Sequence, residues 1–175
     1  MKKTETVYFA GGCFWCITPV FKETMGVISV ISGYSGGDET APSYSDVKAQ
    51  RTGHRETISV EYDPEQVSFG ELLEIYLSSV DLFDGGGQFI DRGFSYTLAI
   101  YFTSEEQYRL AEKRIKDIET EFGKKVFISL EPFNSFFPAE EEHQDYYLKN
   151  PQDFEQELIS SGRRAKEKPY KKTKS

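Results

Sequence analysis

The run Ala10-Gly11-Gly12-Cys13-Phe14-Trp15-Cys16 constrains this chain more than any other stretch. Ahead of it, Thr6-Val7-Tyr8-Phe9-Ala10 reads as a short buried strand, and Gly11-Gly12 ends that strand. A helix is predicted to follow through about Lys22, with Pro19 best suited to its first turn. The only two cysteines and the only tryptophan therefore gather at one strand-to-helix turn. Glycine lets the backbone turn tightly there and leaves a sulfur accessible. Free N–H groups at the positive end of a helix favour a thiolate, so the position predicts a lowered thiol pKa at Cys13 and a nucleophile at neutral pH. Cys16 lies one helical turn on, near enough for a disulfide after modest local movement. Both thiols could instead be small buried core residues; their crowding at a glycine-marked turn weighs against that. Phe14 and Trp15 read either as core aromatics or as walls of a small apolar pocket suited to a methyl or thioether group.

The remaining patterns place this turn in a larger fold. Val27 to Ser32 is β-rich, and Gly33-Tyr34-Ser35-Gly36-Gly37 opens a loop. Glu56 to Tyr62 alternates as a strand and stops at Asp63-Pro64. Ser68, with Glu71 three residues on, predicts a capped helix from about Phe69 to Val80. Asp84 to Gly93 is a glycine-rich loop, and Tyr96 to Phe102 a strand. Ser104 caps a long amphipathic helix ending near Gly123, and Lys125 to Phe133 is a further strand. Glu140-Glu141-Glu142 begins a last short helix carrying His143. The order β-α-β-β-α-β-α-β predicts an α+β fold: a mixed sheet with helices packed on it, around a split βαβ, ferredoxin-like core.

With 175 residues, one domain with a proper core is expected: a single catalytic domain over residues 1–160 and a basic, flexible tail over 161–175. The stretch 163–175 holds seven Lys/Arg and one Glu, against a net charge of −8 for the whole chain. That overall acidity argues against a nucleic-acid partner. No apolar run approaches the ~20 residues of a membrane span, and the N-terminus lacks the pattern of a signal peptide. A cytoplasmic protein is therefore expected, in which a Cys-x-x-Cys pair is catalytic or metal-binding rather than a structural staple.

Gly11-Gly12-Cys13-Phe14-Trp15 resembles the signature of the A-type peptide methionine sulfoxide reductases. Gly33-Tyr34-Ser35-Gly36-Gly37, Ser43-Tyr44, Thr52-Gly53-His54-Arg55-Glu56, Asp91-Arg92-Gly93 with Tyr96, and Ala139-Glu140 with His143-Gln144 resemble further motifs of that family, in its order. The likeness covers about residues 6–150. It implies a thiol-dependent reductase acting on the S epimer of methionine sulfoxide, free or in proteins, and so protein repair under oxidative stress. Cys13 matches the nucleophile and Glu56 the acid that protonates the sulfoxide oxygen. Tyr44 and Tyr96 match phenols that bind that oxygen, and Phe14 and Trp15 the walls around the substrate methyl group. Asp91 matches a residue that orients the substrate, and His143 falls in a motif near the substrate site. No bound cofactor or metal is implied, only an external dithiol such as thioredoxin or dithiothreitol. The other partners are methionine-sulfoxide-containing proteins and free methionine sulfoxide; no nucleic acid or membrane is expected, and the chain is expected to be a monomer.

Chemistry is compatible with these roles. A sulfoxide oxygen leaves readily only when protonated, and a carboxyl group in a dry aromatic setting can stay protonated at neutral pH. The sulfenic acid left on Cys13 would condense with a nearby thiol. Family members often carry Gly and Glu where this chain has Cys16 and Thr18, and Arg where it has Thr97. No cysteine follows Cys16, so it is the only candidate for a resolving thiol within this sequence, and direct reduction of the sulfenic acid is the other route.

Each residue also has a plainer reading. Glu56 could be a strand-edge surface charge, Tyr44 and Tyr96 ordinary tyrosines, Asp91 a turn former, and His54 and His143 structural histidines. Two rival functions fit the cysteines. A Cys₂His₂ zinc module would need His54 and His143, which lack the usual spacing. A general dithiol–disulfide oxidoreductase would use the same Cys-x-x-Cys.

Overall fold

The computed structural model describes residues 3–161; nearly all of the predicted basic tail lies outside them. The chain begins with β1 (Glu5–Gly11), α1 (Phe14–Lys22) and β2 (Val27–Ser35). A short α2 (Tyr44–Lys48) leads to β3 (Arg55–Tyr62) and α3 (Phe69–Ser79). The loop beyond α3 carries a two-residue hairpin, β4 (Gly87–Gln88) and β5 (Asp91–Arg92), then a 3₁₀ turn at Phe94–Tyr96. Next come β6 (Leu98–Phe102), α4 (Glu105–Phe122), β7 (Ile128–Pro132) and β8 (Phe136–Pro138). A 3₁₀ turn at Glu141–His143 precedes α5 (Tyr146–Lys149) and α6 (Pro151–Ser161).

Six strands form one sheet in the order β7-β6-β1-β3-β2-β8. Its centre, β6-β1-β3-β2, sets the fourth, first, third and second core strands side by side, all antiparallel. That is the split βαβ, ferredoxin-like core the element order predicts. α4 crosses over to β7, which runs parallel to β6, and β8 closes the other edge against β2.

Alternation decides what each strand buries. Val7 and Phe9 of β1, Ile58 and Val60 of β3, and Leu98 and Ile100 of β6 join the main core with α1 and α3. Phe9 sits at its centre, stacked on Phe21, Phe69 and Tyr76 with centroids 5.2, 6.5 and 4.6 Å away. Truncating so central a ring to Ala costs about 3–5 kcal/mol. The opposite parity, Tyr8, Ala10, Ala99 and Tyr101, makes a smaller cluster on the other face with Phe133.

The predicted caps are present. Ser68 Oγ accepts from the Glu71 N–H, Ser104 Oγ accepts from the Gln107 N–H, and Gly123 ends α4 in the left-handed region. Other boundaries differ. β2 runs on through Ser35, because Gly33, Tyr34 and Ser35 pair with Glu-, Arg- and Thr-bearing β3 on one side and with β8 on the other. Pro19 falls in the second turn of α1 rather than the first, because the helix already starts at Phe14. Tyr96 lies in the 3₁₀ turn, and β6 begins only at Leu98.

Candidate active site

Cys13 is the N-cap residue of α1, and Gly12 before it has φ 85°, which turns the chain from β1 into the helix. β3 supplies the group that faces it. Glu56 shares parity with Ile58 and Val60, so its side chain leaves the sheet on the core face. It is 1% exposed, which overturns the reading of a surface charge. Its Oε1 accepts from the Phe14 N–H at 3.2 Å. Its Oε2 is buried with no hydrogen-bond partner. An unsatisfied buried oxygen is costly, and more so if charged. Burial pushes the carboxyl up to about 8, opposed by the Phe14 N–H and reinforced by the nearby charge of Asp91. Glu56 is thus mainly a neutral acid at pH 7.

Cys13 departs from expectation. Its thiol is 6% exposed, and Cys16 is 2% exposed. Its pKa is raised well above the ordinary value, first by the hydrogen bond with Cys16, then by burial and the facing carboxyls Glu56 and Asp91. The first N–H of α1 is spent on Glu56 rather than on the sulfur. The resting site therefore holds a thiol beside a carboxylic acid, not a preformed thiolate.

Aromatic rings enclose the pair. Phe14 lies 5.9 Å from Tyr34 and 6.2 Å from Tyr44. Trp15 stacks on Tyr146 at 4.0 Å, with planes 10° apart. His143 packs on Tyr44 at 4.1 Å, and its Nδ1 accepts the Trp15 Nε1–H at 3.3 Å. Burial lowers the pKa of His143 and keeps it in the neutral form that can accept. Tyr44 and Tyr96 have raised pKa values, from burial first and the Glu56 charge second, so both remain O–H donors. Asp91, on β5, acts on Cys13, Glu56, Tyr44 and Tyr96 electrostatically. All nine residues expected at the site thus meet in one place, from six separate chain segments.

Other residues hold them there, and sequence reasoning assigned them no role. Glu140 accepts from Tyr34 Oη at 2.8 Å and from the Tyr44 N–H at 3.1 Å, tying β2 to the start of α2. Gln144 clamps the same segment to β2, accepting from the Ser32 N–H and donating to Ser32 O, both at 2.9 Å. Gln50 accepts the Ser95 N–H and donates to Ser95 Oγ, which fixes the turn presenting Tyr96. Gly93, at φ 119°, leaves room for this, since a Cβ there would lie 2.7 Å from the Gln50 amide. The signal for Tyr34 was strand parity: Val30, Ser32 and Tyr34 share the core face of β2. The glutamine and glutamate bonds join segments 45 to 112 residues apart and left no local pattern.

The departures from the family pattern also find partners. Thr18 Oγ1 donates to Phe14 O at 2.7 Å, and Thr97 Oγ1 accepts from Arg55 Nε at 2.8 Å. Among the described residues no group of three His, Cys, Asp or Glu gathers as metal ligands. His54 is spent inside the fold: its Nδ1 accepts the Gly37 N–H at 3.2 Å and its Nε2 bonds Glu39 O at 2.8 Å. Among the described residues no helix is long and apolar enough to cross a membrane.

A dithiol set against a neutral carboxylic acid, inside a shell of rings, defines a thiol-based reductase for a small, weakly polar group. A family model described as peptide methionine sulfoxide reductase matches residues 5–175. The chain is 43% identical to peptide methionine sulfoxide reductase MsrA of Halalkalibacterium halodurans, over 93% of each chain. It is 42% identical to MsrA of Bacillus licheniformis, over 93% of this chain and 91% of that one. Among solved structures it resembles methionine sulfoxide reductase A of Corynebacterium diphtheriae, with 31% identity and TM-score 0.78 over 86% of this chain and 77% of that one. Reduced Mxr1 of Saccharomyces cerevisiae is similar at TM-score 0.80 and 26% identity, over 86% of this chain and 87% of that one. The chain belongs to the peptide methionine sulfoxide reductase family.

Proposed function

We propose that this chain is a peptide-methionine (S)-S-oxide reductase, with residues 1–160 as its catalytic domain and the reaction centred on Cys13 and Glu56. One observation carries the reading: a buried, neutral carboxylic acid with an unpartnered oxygen stands beside a buried thiol. A sulfoxide oxygen is the acceptor that such an acid lacks. Phe14 and Trp15 receive the substrate methyl group, Tyr44 and Tyr96 donate to the oxygen, and Asp91 and His143 orient the rest of the substrate.

Glu56 protonates the sulfoxide oxygen as Cys13 Sγ attacks the sulfur, and its carboxylate then takes the thiol proton. The oxygen passes to Cys13 and methionine leaves, so that thiol plus sulfoxide become sulfenic acid plus thioether. The raised thiol pKa is consistent with this order, since the thiolate is needed only once substrate has taken the Glu56 proton. Cys16 then displaces water from the sulfenic acid to close a disulfide. Residues three apart on a helix stand ~5–6 Å apart at Cβ, and a disulfide needs ~3.5–4.5 Å, so the first turn of α1 tightens or unwinds slightly.

The disulfide is reduced by an external dithiol, thioredoxin in the cell. Support comes from a structure of yeast Mxr1 in complex with Trx2, which shares this fold. No bound cofactor takes part. Two sulfurs enclosed by aromatic rings suit a small thioether better than the broad protein disulfides of a general oxidoreductase.

Stereoresolved turnover of a sulfoxide-containing dipeptide with dithiothreitol tests the reading. The wild type should consume the S epimer and spare the R epimer, and Cys13→Ser should lose all turnover. Cys16→Ser should complete one turnover and recycle slowly with thioredoxin. Activity in Cys13→Ser would refute the assignment of the nucleophile, and unimpaired recycling in Cys16→Ser that of the resolving thiol.

A further inference from the structure

α6 lies across the two catalytic thiols. Cys13, Cys16 and Leu158 form one buried cluster, with Trp15 and Phe154 packed against it. Leu158 is 1% exposed, as deeply enclosed as the sulfur it covers. Phe154 and Leu158 are four residues apart and share a helix face, while Asp153, Glu155 and Gln156 are exposed. Phe154 also packs on Tyr147 of α5 at 5.9 Å. The cover is thus a short helix, seated on the thiols by Phe154 and Leu158 among its described side chains.

We propose that the Cys16-bearing face of α1 is the docking surface for a protein dithiol, and that α6 is its resting occupant and must lift to admit that partner. This rests on the reading of Cys16 as the resolving thiol. Thiol–disulfide exchange needs the attacking sulfur to meet the disulfide along its S–S axis. The partner thiolate breaks the Cys13–Cys16 bond and forms a mixed disulfide. Its second thiol then displaces the cysteine and leaves as the partner's own disulfide, its two protons now on Cys13 and Cys16. A small dithiol can reach the sulfurs through a narrow local opening. A sulfur carried on a protein surface cannot, because the helix bearing Phe154 and Leu158 stands between. Peripheral helices open at lower free-energy cost than core elements. The apolar patch uncovered, around Trp15 and Cys16, fits a partner whose reactive cysteine is ringed by apolar residues rather than by charge.

The test compares reduction of the oxidised full-length chain by thioredoxin and by dithiothreitol, in wild type and Leu158→Ala. Removing the leucine methyls from a buried site shifts an equilibrium by about tenfold or more. The thioredoxin rate should rise by about that factor, limited by the docking step, while the dithiothreitol rate changes less. An unchanged thioredoxin rate in a folded variant would overturn the proposal. Hydrogen exchange on the wild-type chain gives a second readout. In a mixed disulfide trapped with thioredoxin lacking its second cysteine, α6 amides should lose protection while α3 amides keep it. Full protection of α6 in that adduct would also overturn the proposal. If no Cys13–Cys16 disulfide forms after one turnover, the resolving reading fails and this proposal falls with it. A disulfide that forms and is reduced with α6 still seated sinks the proposal alone.

Discussion

Arg55 and Glu56 are neighbours on β3, and their side chains leave the strand on opposite faces of the sheet. Both are buried, at 7% and 1% exposure. On the far face Arg55 has several partners. Its Nε donates to Thr97 Oγ1, its Nη1 to Tyr101 Oη at 3.0 Å and Glu131 Oε2 at 2.8 Å, and its guanidinium stacks 4.4 Å from the Phe94 ring. On the core face Glu56 has one backbone N–H and an oxygen with nothing to bond. A buried charge that serves structure is compensated by its neighbours. One left uncompensated gives up its charge instead, and a neutral acid is what proton donation to a sulfoxide needs. The two faces of one strand thus separate a structural ion from a reactive acid.

Substitutions at the two positions should fail in opposite ways. Glu56→Gln keeps the shape of the protonated acid but has no proton to give. Its kcat should fall by about 10²–10³, with little change in KM, as expected for loss of a general acid. Its stability should respond in the other direction. A carboxyl raised from about 4.3 to about 8 on folding stabilises the protein below about pH 4, and that contribution is lost as pH rises toward 8. Urea midpoints of the wild type should therefore fall over this range relative to Glu56→Gln, which carries no such slope. A Glu56→Gln variant that keeps its kcat would break the comparison.

Arg55→Met should lower stability by on the order of 2 kcal/mol, allowing for partial exposure of Glu131, and leave kcat within about twofold. Chemical denaturation and steady-state kinetics on one preparation decide this. A large loss of kcat with stability intact would place Arg55 in the reaction and erase the contrast.

The smallest effect is expected at the supports. Glu140→Gln keeps an acceptor for Tyr34 but puts an N–H₂ group against the Tyr44 N–H. It should lower kcat about fivefold, the scale of one hydrogen bond. In a Tyr44→Phe background the same substitution should cost little, because Glu140 acts through Tyr44. Equal losses in both backgrounds would make Glu140 a general structural residue.

Much of this was legible in the residue order. The glycine-marked turn located the thiols and the β-α-β-β-α-β-α-β series located the core, whereas Glu56 also read as a strand-edge surface charge and only the structure buries it. Motif likeness brought Tyr44, Tyr96, Asp91 and His143 to the same site. The ionisation of Cys13 was not legible. A helix N-terminus favours a thiolate only where N–H groups are free and the sulfur is accessible, whereas tertiary packing gives the first N–H to Glu56 and lays Leu158 over the thiols. β8, α2 and α6 were also missed. β8 is three residues long and pairs with β2, α2 is one short turn, and α6 packs on the thiols through Phe154 and Leu158. Such elements owe their form to partners far along the chain.

The central claim is that Glu56 holds a proton at neutral pH beside the Cys13 thiol. Infrared difference titration of the reduced wild type against Glu56→Gln reads that proton directly, through the carbonyl band of a protonated carboxyl group. The band should persist at pH 7 and vanish with a midpoint of about 8. A band that is gone by about pH 5, near the value of an unperturbed glutamate, would contradict the account.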